Sequence, residues 1–142
     1  MTALLDARTS QNASTAGSIA VPILVIDTPQ LFGQVGLNLY NAPTDSTIDV
    51  QFSGVIAVQL PLALVAITIT VVRGTLSTDP VVFSQSSTFD LSVLAPQDIA
   101  FSGSDFNVPH VANQPYTAFI SSNLLGTIRV GPESFNASAY TS

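Results

Sequence analysis

The chain contains no cysteine, no lysine and no tryptophan, and its only methionine is Met1. Without cysteine there is neither a disulfide framework nor a thiolate ligand for zinc. Without lysine, Arg8, Arg73 and Arg129 are the only fixed cations against nine carboxylates, for a formal net charge of -6. Nucleic-acid recognition begins with phosphate neutralisation, and three scattered arginines make no basic face for it. Anionic membrane surfaces are disfavoured for the same reason. A chain lacking Cys, Lys, Trp and internal Met also presents few targets to oxidants or trypsin, which suits exposure to a harsh exterior.

Charge of either sign is scarce. Charged residues make up 8% of the chain and hydrophobic residues 46%, against a usual charged share of about 25%. A chain of 142 residues forms one domain and buries about two thirds of its extended-chain surface. With so few charges the exterior must be built from Ser, Thr, Asn and Gln. Part of the apolar area is expected to be covered by other copies of the chain. The composition therefore predicts an obligate homo-oligomer.

One long apolar run is present, GVIAVQLPLALVAITITVVRG at 54–74. Its length is close to the roughly 20 residues that cross a bilayer as a helix. Pro61 near its centre, with Gln59 two residues before, argues against that reading. Val50, Phe52, Gly54, Ile56, Val58 and Leu60 fall on one side of an alternating pattern, and Val65, Ile67, Ile69 and Val71 on one side of a second. A period of two with many β-branched residues indicates strands. The run reads as two adjacent strands of a buried sheet, joined or kinked at Pro61.

Similar signals recur along the chain. ILVIDT (23–28), LFGQVGLNLYN (31–41), PVVFSQSSTFDLSVL (80–94, one or two strands), IAFSGSDFNVP (99–109), YTAFISSN (116–123), GTIRVG (126–131) and SFNASAYTS (134–142) are separated by Pro, Gly and Asn. Gly103 is expected at a bulge or bend, and VGPESFN reads as a Gly-Pro turn entering the last strand. Short strands at this spacing, with no helical period, predict an antiparallel β-sandwich or jelly roll of about eight strands. The expected core includes Phe52, Ile56, Val58, Ile67, Ile69, Phe119 and Ile128. Residues 1–22 are rich in Ser, Thr, Ala and Asn with little periodicity and read as a flexible arm before a domain spanning 23–142. No apolar stretch of signal-peptide length precedes Val21, so release by lysis of the producing cell is expected.

Catalytic signals are weak. His110, the only histidine, sits in the loop VPHVANQPY and reads as solvated; no base stands beside a nucleophile. FSGSDF reads as a turn, not a nucleophile elbow. Asp45 and Asp49, four apart on one strand, would lie roughly 13 Å from each other. Asp98, Asp105 and His110 are suitable metal ligands by type, but their spacing is not diagnostic. Asn12-Ala13-Ser14 and Asn136-Ala137-Ser138 match the glycosylation sequon and read as chance. No catalytic, cofactor-binding or metal site is assigned, and the chain is not read as an enzyme.

The segments LFGQVGLNLYN, AITITVVRGT and YTAFISSNLLGTIRVGPESFNASAYTS resemble the small jelly-roll domains of spore-surface proteins in Bacillus-type bacteria. These are the C1q/TNF-like heads of collagen-like exosporium glycoproteins and the subunits of endospore appendages. The resemblance covers about residues 23–142 and implies trimers formed through apolar sheet faces, on an extracellular spore surface. In appendage subunits an N-terminal connector reaches into the neighbouring subunit, and residues 1–22 occupy that position here. The cysteine-rich connector and the collagen tract are both absent, so any fibre must be held non-covalently. Leu4, Leu5, Ile19, Val21 and Ile23 are the expected arm contacts. The partner is another copy of the chain, with an anchoring spore-surface protein as a further candidate. A trimeric C1q-like binding head for a receptor or carbohydrate, and a viral jelly-roll structural protein, are the alternatives.

Overall fold

Alternation sets the architecture. In the computed structural model, which describes residues 2–142, the chain forms β1 (Ala3–Ala13), β2 (Val21–Pro22), β3 (Gln30–Asn38), β4 (Ile48–Gln59), β5 (Val65–Arg73), β6 (Val81–Phe89), β7 (Gln97–Asp105), β8 (Asn113–Ser122) and β9 (Ile128–Thr141). The strands pair antiparallel in two sheets. One runs β1-β9-β4-β7, with β2 also on β9, and the other runs β3-β8-β5-β6. The sheets pack face to face as a β-sandwich resembling a jelly roll. No helix among the described residues is long and apolar enough to cross a membrane.

The inward set closes one continuous core. Val50, Phe52, Ile56 and Val58 of β4 meet Ile67, Ile69 and Val71 of β5 and Tyr116 and Ile120 of β8. Phe52, Phe83, Phe101, Phe135 and Phe32 form a chain of edge-on and stacked rings through it, an arrangement favourable beyond the area it buries. Gly103 lies inside the ring cluster. A Cβ there would come 2.8 Å from both Phe52 and Phe83, so the missing side chain makes room for the rings. The pairing of β4 with β7 runs past Gly103 without a register shift, so the expected bulge is not there.

Several expectations are corrected by the topology. The two strands flanking Pro61 are consecutive in sequence but lie in facing sheets, because the Leu60–Leu64 connection crosses the sandwich instead of turning back within one sheet. Residues 3–13, read as a flexible arm, form an edge strand, whereas 23–28 forms none and the segments at 126–131 and 134–142 fall in the single strand β9. Residues 81–89 make a single strand, and FSGSD of the FSGSDF segment belongs to β7 rather than to a turn. Of the expected core, Ile128 is only half-buried, and Phe119 is buried outside the central cluster. The outer face of the first sheet carries Thr9, Asn136, Ser53 and Ser102 side by side across four strands, the uncharged polar surface that the composition called for.

Candidate assembly site

The N-terminal segment is attached in an unusual way. β1 pairs with β9 from Ala3↔Thr141 to Ala13↔Glu133, and Val21↔Arg129 and Pro22↔Ile128 continue along the same edge. Only Ala13 of β1 is buried. Leu4 is 60% exposed, and Leu5 packs partly against the core. Ile19 and Val21 are half-buried, whereas Ile23 is 3% exposed and donates its amide to the Thr127 carbonyl. The five expected arm residues therefore divide: Ile23 belongs to the core, and the other four line the edge. Residue 1 lies outside the described residues.

What holds β1 is polar. Besides the ladder with β9, its side chains reach β3 of the other sheet and close that side of the sandwich. Asn12 Nδ2 donates to the Phe32 carbonyl, Ser10 Oγ accepts from the Gln34 amide at 3.4 Å, and Asp6 Oδ2 accepts from the Asn38 amide at 2.7 Å. Asp6 also accepts from Arg8 Nε and from the Ala7 amide, each at 3.0 Å. Burial pulls the Asp6 carboxyl upward, but the Asn38 amide and then Arg8 outweigh it and hold the group below its ordinary value. A carboxylate with a lowered folded-state pKa contributes stability above its unfolded value near 4, lost as pH falls through the folded one. Protection of the β1 amides from hydrogen exchange is expected to drop between pH 5 and pH 3. Asp6→Asn is expected to remove that pH dependence and about 1 kcal/mol of docking. Equal protection at both pH values in the unsubstituted chain would count against Asp6 as the fastening point.

Beneath the loop joining β1 to β2, the last strand carries a contraction. Ile56 faces Glu133 and Val58 faces Arg129, so two steps on β4 match four on β9. The bulge contains the cis Gly131–Pro132 bond and Gly131 at a φ of 86°, a backbone that glycine tolerates. It draws together two side chains that a regular strand would hold roughly 13 Å apart. Arg129 Nε and Nη2 donate to the two oxygens of Glu133 at 2.6 Å each, and the pair is almost wholly buried. A Cβ on Gly131 would come 2.9 Å from the Thr15 carbonyl oxygen, so the loop at 14–20 sits directly on this bulge. VGPESFN is thus a contraction inside β9 and not the turn that its sequence indicates.

A second buried network lies at the far end of the sandwich. Arg73 at the end of β5 donates from Nε and Nη2 to Asp105 at the end of β7, both at 2.7 Å, and Tyr116 Oη donates to Asp105 Oδ2 at 2.6 Å. Burial, and then the bond to Asp105, push the Tyr116 hydroxyl well above the ordinary tyrosine value. The bond to Asp105 likewise raises Arg73. All of this acts to fix the ends of three strands. Asp105 is therefore committed to Arg73 and Tyr116, while Asp98 stands at the opposite end of β7. His110 is exposed, with Nε2 3.1 Å from the Pro43 carbonyl. The candidate ligands Asp98, Asp105 and His110 are not brought together.

No protein-family model matches the chain, and no curated protein matches it. Among solved structures the chain is similar over 96% of its length to part of dimeric latent PorU from Porphyromonas gingivalis, with a TM-score of 0.53 and 10% identity, spanning 12% of that chain. It also aligns over 96% of its length with the infectious bursal disease virus Gx strain structure, with a TM-score of 0.45 and 10% identity, spanning 32% of that chain. At such identity the PorU likeness establishes the fold alone: a two-sheet antiparallel β-sandwich.

Proposed function

We propose that this protein is a structural self-assembling subunit of an extracellular fibre or spore-surface appendage, linked head-to-tail through its N-terminal segment without disulfides. The observation that carries the proposal is the seat of β1: an edge strand held by a main-chain ladder and three polar side chains, with only Ala13 buried and Leu5 packed partly against the core. Ladder hydrogen bonds do not depend on which copy supplies the strand, so β1 of one copy fits the β9 edge of the next as well as its own. The loop at 14–20 supplies the reach, roughly 23 Å when extended. Each exchanged copy leaves one strand to give and one edge to fill, and a contact of this kind that does not close propagates as a filament. The sparse charge and the resemblance to trimeric spore-surface domains support grouping of copies about the filament axis.

A cysteine pair tests this cleanly, because the chain has no cysteine of its own. Ala7 faces Ser138 across the β1–β9 ladder, and cross-strand partners lie within disulfide range. Oxidised Ala7→Cys/Ser138→Cys protein is expected to run as a covalent ladder of multimers on non-reducing gels, with filaments in negative-stain micrographs. A disulfide formed solely within single chains, with discrete particles by microscopy, would defeat the fibre reading and favour a discrete binding head.

A further inference from the structure

The four loops at one end of the sandwich carry a concentration of exposed leucine that neither the core nor β1 explains. Ile23 bonds to Thr127, Gln59 reaches the Leu94 carbonyl, and Gly126 packs against Pro61. These contacts place the loops at 23–29, 60–64, 90–96 and 123–127 together. From them project Leu24, Leu62, Leu64, Leu91, Leu94 and Leu125, each between 59% and 74% exposed. The opposite end, formed by the loops at 39–47, 74–80 and 106–112, exposes a mixed set instead, Tyr40, Leu76, Phe106 and Val111, and carries Asp45 and Asp79.

We infer that this leucine-rich end is a docking surface for the same end of a second copy, pairing two subunits about a two-fold axis. Summed over the four loops, the six exposed leucines offer on the order of 700 Å² of surface. That area is close to the 800 Å² or so that each partner buries in a stable interface. Like matches like here, as an isologous contact requires. A lipid surface fits less well. Arg8 lies within β1, Arg73 at the opposite end and Arg129 in the interior, so no cation stands beside the leucines to meet an anionic headgroup. The nearby carboxylates Asp27, Asp90 and Asp98 are all exposed, so pairing is expected to tighten as salt screens them.

This inference rests on the self-associating reading but not on strand exchange, since the loops and the β1–β9 edge are different surfaces. The test is sedimentation velocity of the full chain beside Leu62→Ser/Leu64→Ser/Leu91→Ser/Leu94→Ser, with thermal unfolding to show that the variant is folded. The variant is expected to weaken end-to-end pairing at least 100-fold while leaving the Ala7→Cys/Ser138→Cys cross-link pattern unchanged. Single Leu91→Cys or Leu94→Cys chains treated with a short bis-maleimide are expected to give covalent dimers, and Leu76→Cys chains none. Unaltered association of the serine variant overturns the inference. Flotation of the intact chain with phosphatidylcholine vesicles, lost in the serine variant, overturns it in favour of a lipid partner.

Discussion

Glu133→Ala is expected to cost about 3–5 kcal/mol of unfolding free energy, because it strands the Arg129 guanidinium inside the sandwich. The arginine side chain is 8% exposed and its partner carboxylate 0%, so water cannot take the place of the lost acceptor. Domain stabilities of about 5–15 kcal/mol leave little margin for such a loss. The wild-type pair is not thereby a large net stabiliser, since desolvating both ions offsets most of their attraction. Arg129→Met/Glu133→Leu, which removes both charges and keeps the volume, is expected to unfold within about 1–2 kcal/mol of wild type. Urea denaturation of the three proteins at one fixed concentration separates these cases. A Glu133→Ala loss below 1 kcal/mol would show that the guanidinium finds solvent and that the bulge relaxes around it. A destabilised double variant would instead mean that the ion pair holds the contracted β9 backbone in place.

The second large effect is expected at Asp105, where one carboxylate serves Arg73 and Tyr116 together. Asp105→Ala leaves the Tyr116 hydroxyl buried without an acceptor, at about 1–3 kcal/mol, and removes a bidentate charged contact as well. The Arg73 side chain keeps 25% exposure, so water recovers part of the second loss. A total of about 3 kcal/mol follows, smaller than at Glu133. The same network writes an alkaline limb into the stability curve. Tyrosine is neutral when protonated, and burial with the Asp105 bond raises its folded-state pKa above the unfolded value near 10. The unfolded chain then releases this proton before the native one, so the contribution is complete below pH 10 and declines above it. The slope for one proton is about 1.4 kcal/mol per pH unit. Tyr116→Phe is expected to lose about 1–2 kcal/mol at pH 7 and to show a flatter decline above pH 10. Parallel slopes in the two proteins would assign the alkaline limb to other groups.

These two networks mark where reading the sequence reaches its limit. Arg129 and Glu133 are four apart on a strand, a spacing that separates side chains unless the register contracts. The contraction is visible only once Ile56 and Val58 of β4 are seen opposite them. Arg73, Asp105 and Tyr116 come from three strands in two sheets, and no local pattern joins them. β1 escaped notice because an edge strand buries little. Its attachment is main-chain hydrogen bonding, common to every residue but proline, so Ser, Thr, Asn and Gln along it left no alternation to read. Leu91 and Leu94 read as part of the strand segment at 80–94, and Leu62 and Leu64 as part of the apolar run at 54–74, since the convergence of four separate loops at one end is a property of the topology.

The sequence by itself determined that this is an all-β protein with a buried sandwich core, because period-two patterning decides which side chains leave water and proline decides where strands stop. It also determined a low-charge polar exterior, which follows from composition alone. The tertiary structure decided which strands share a sheet, where the N-terminal segment lies, which of the few charges are buried together and which apolar residues are left outside. Each of these depends on contacts between residues distant in the chain, and such contacts are fixed by how two sheets close around one core rather than by the order of residues within any strand.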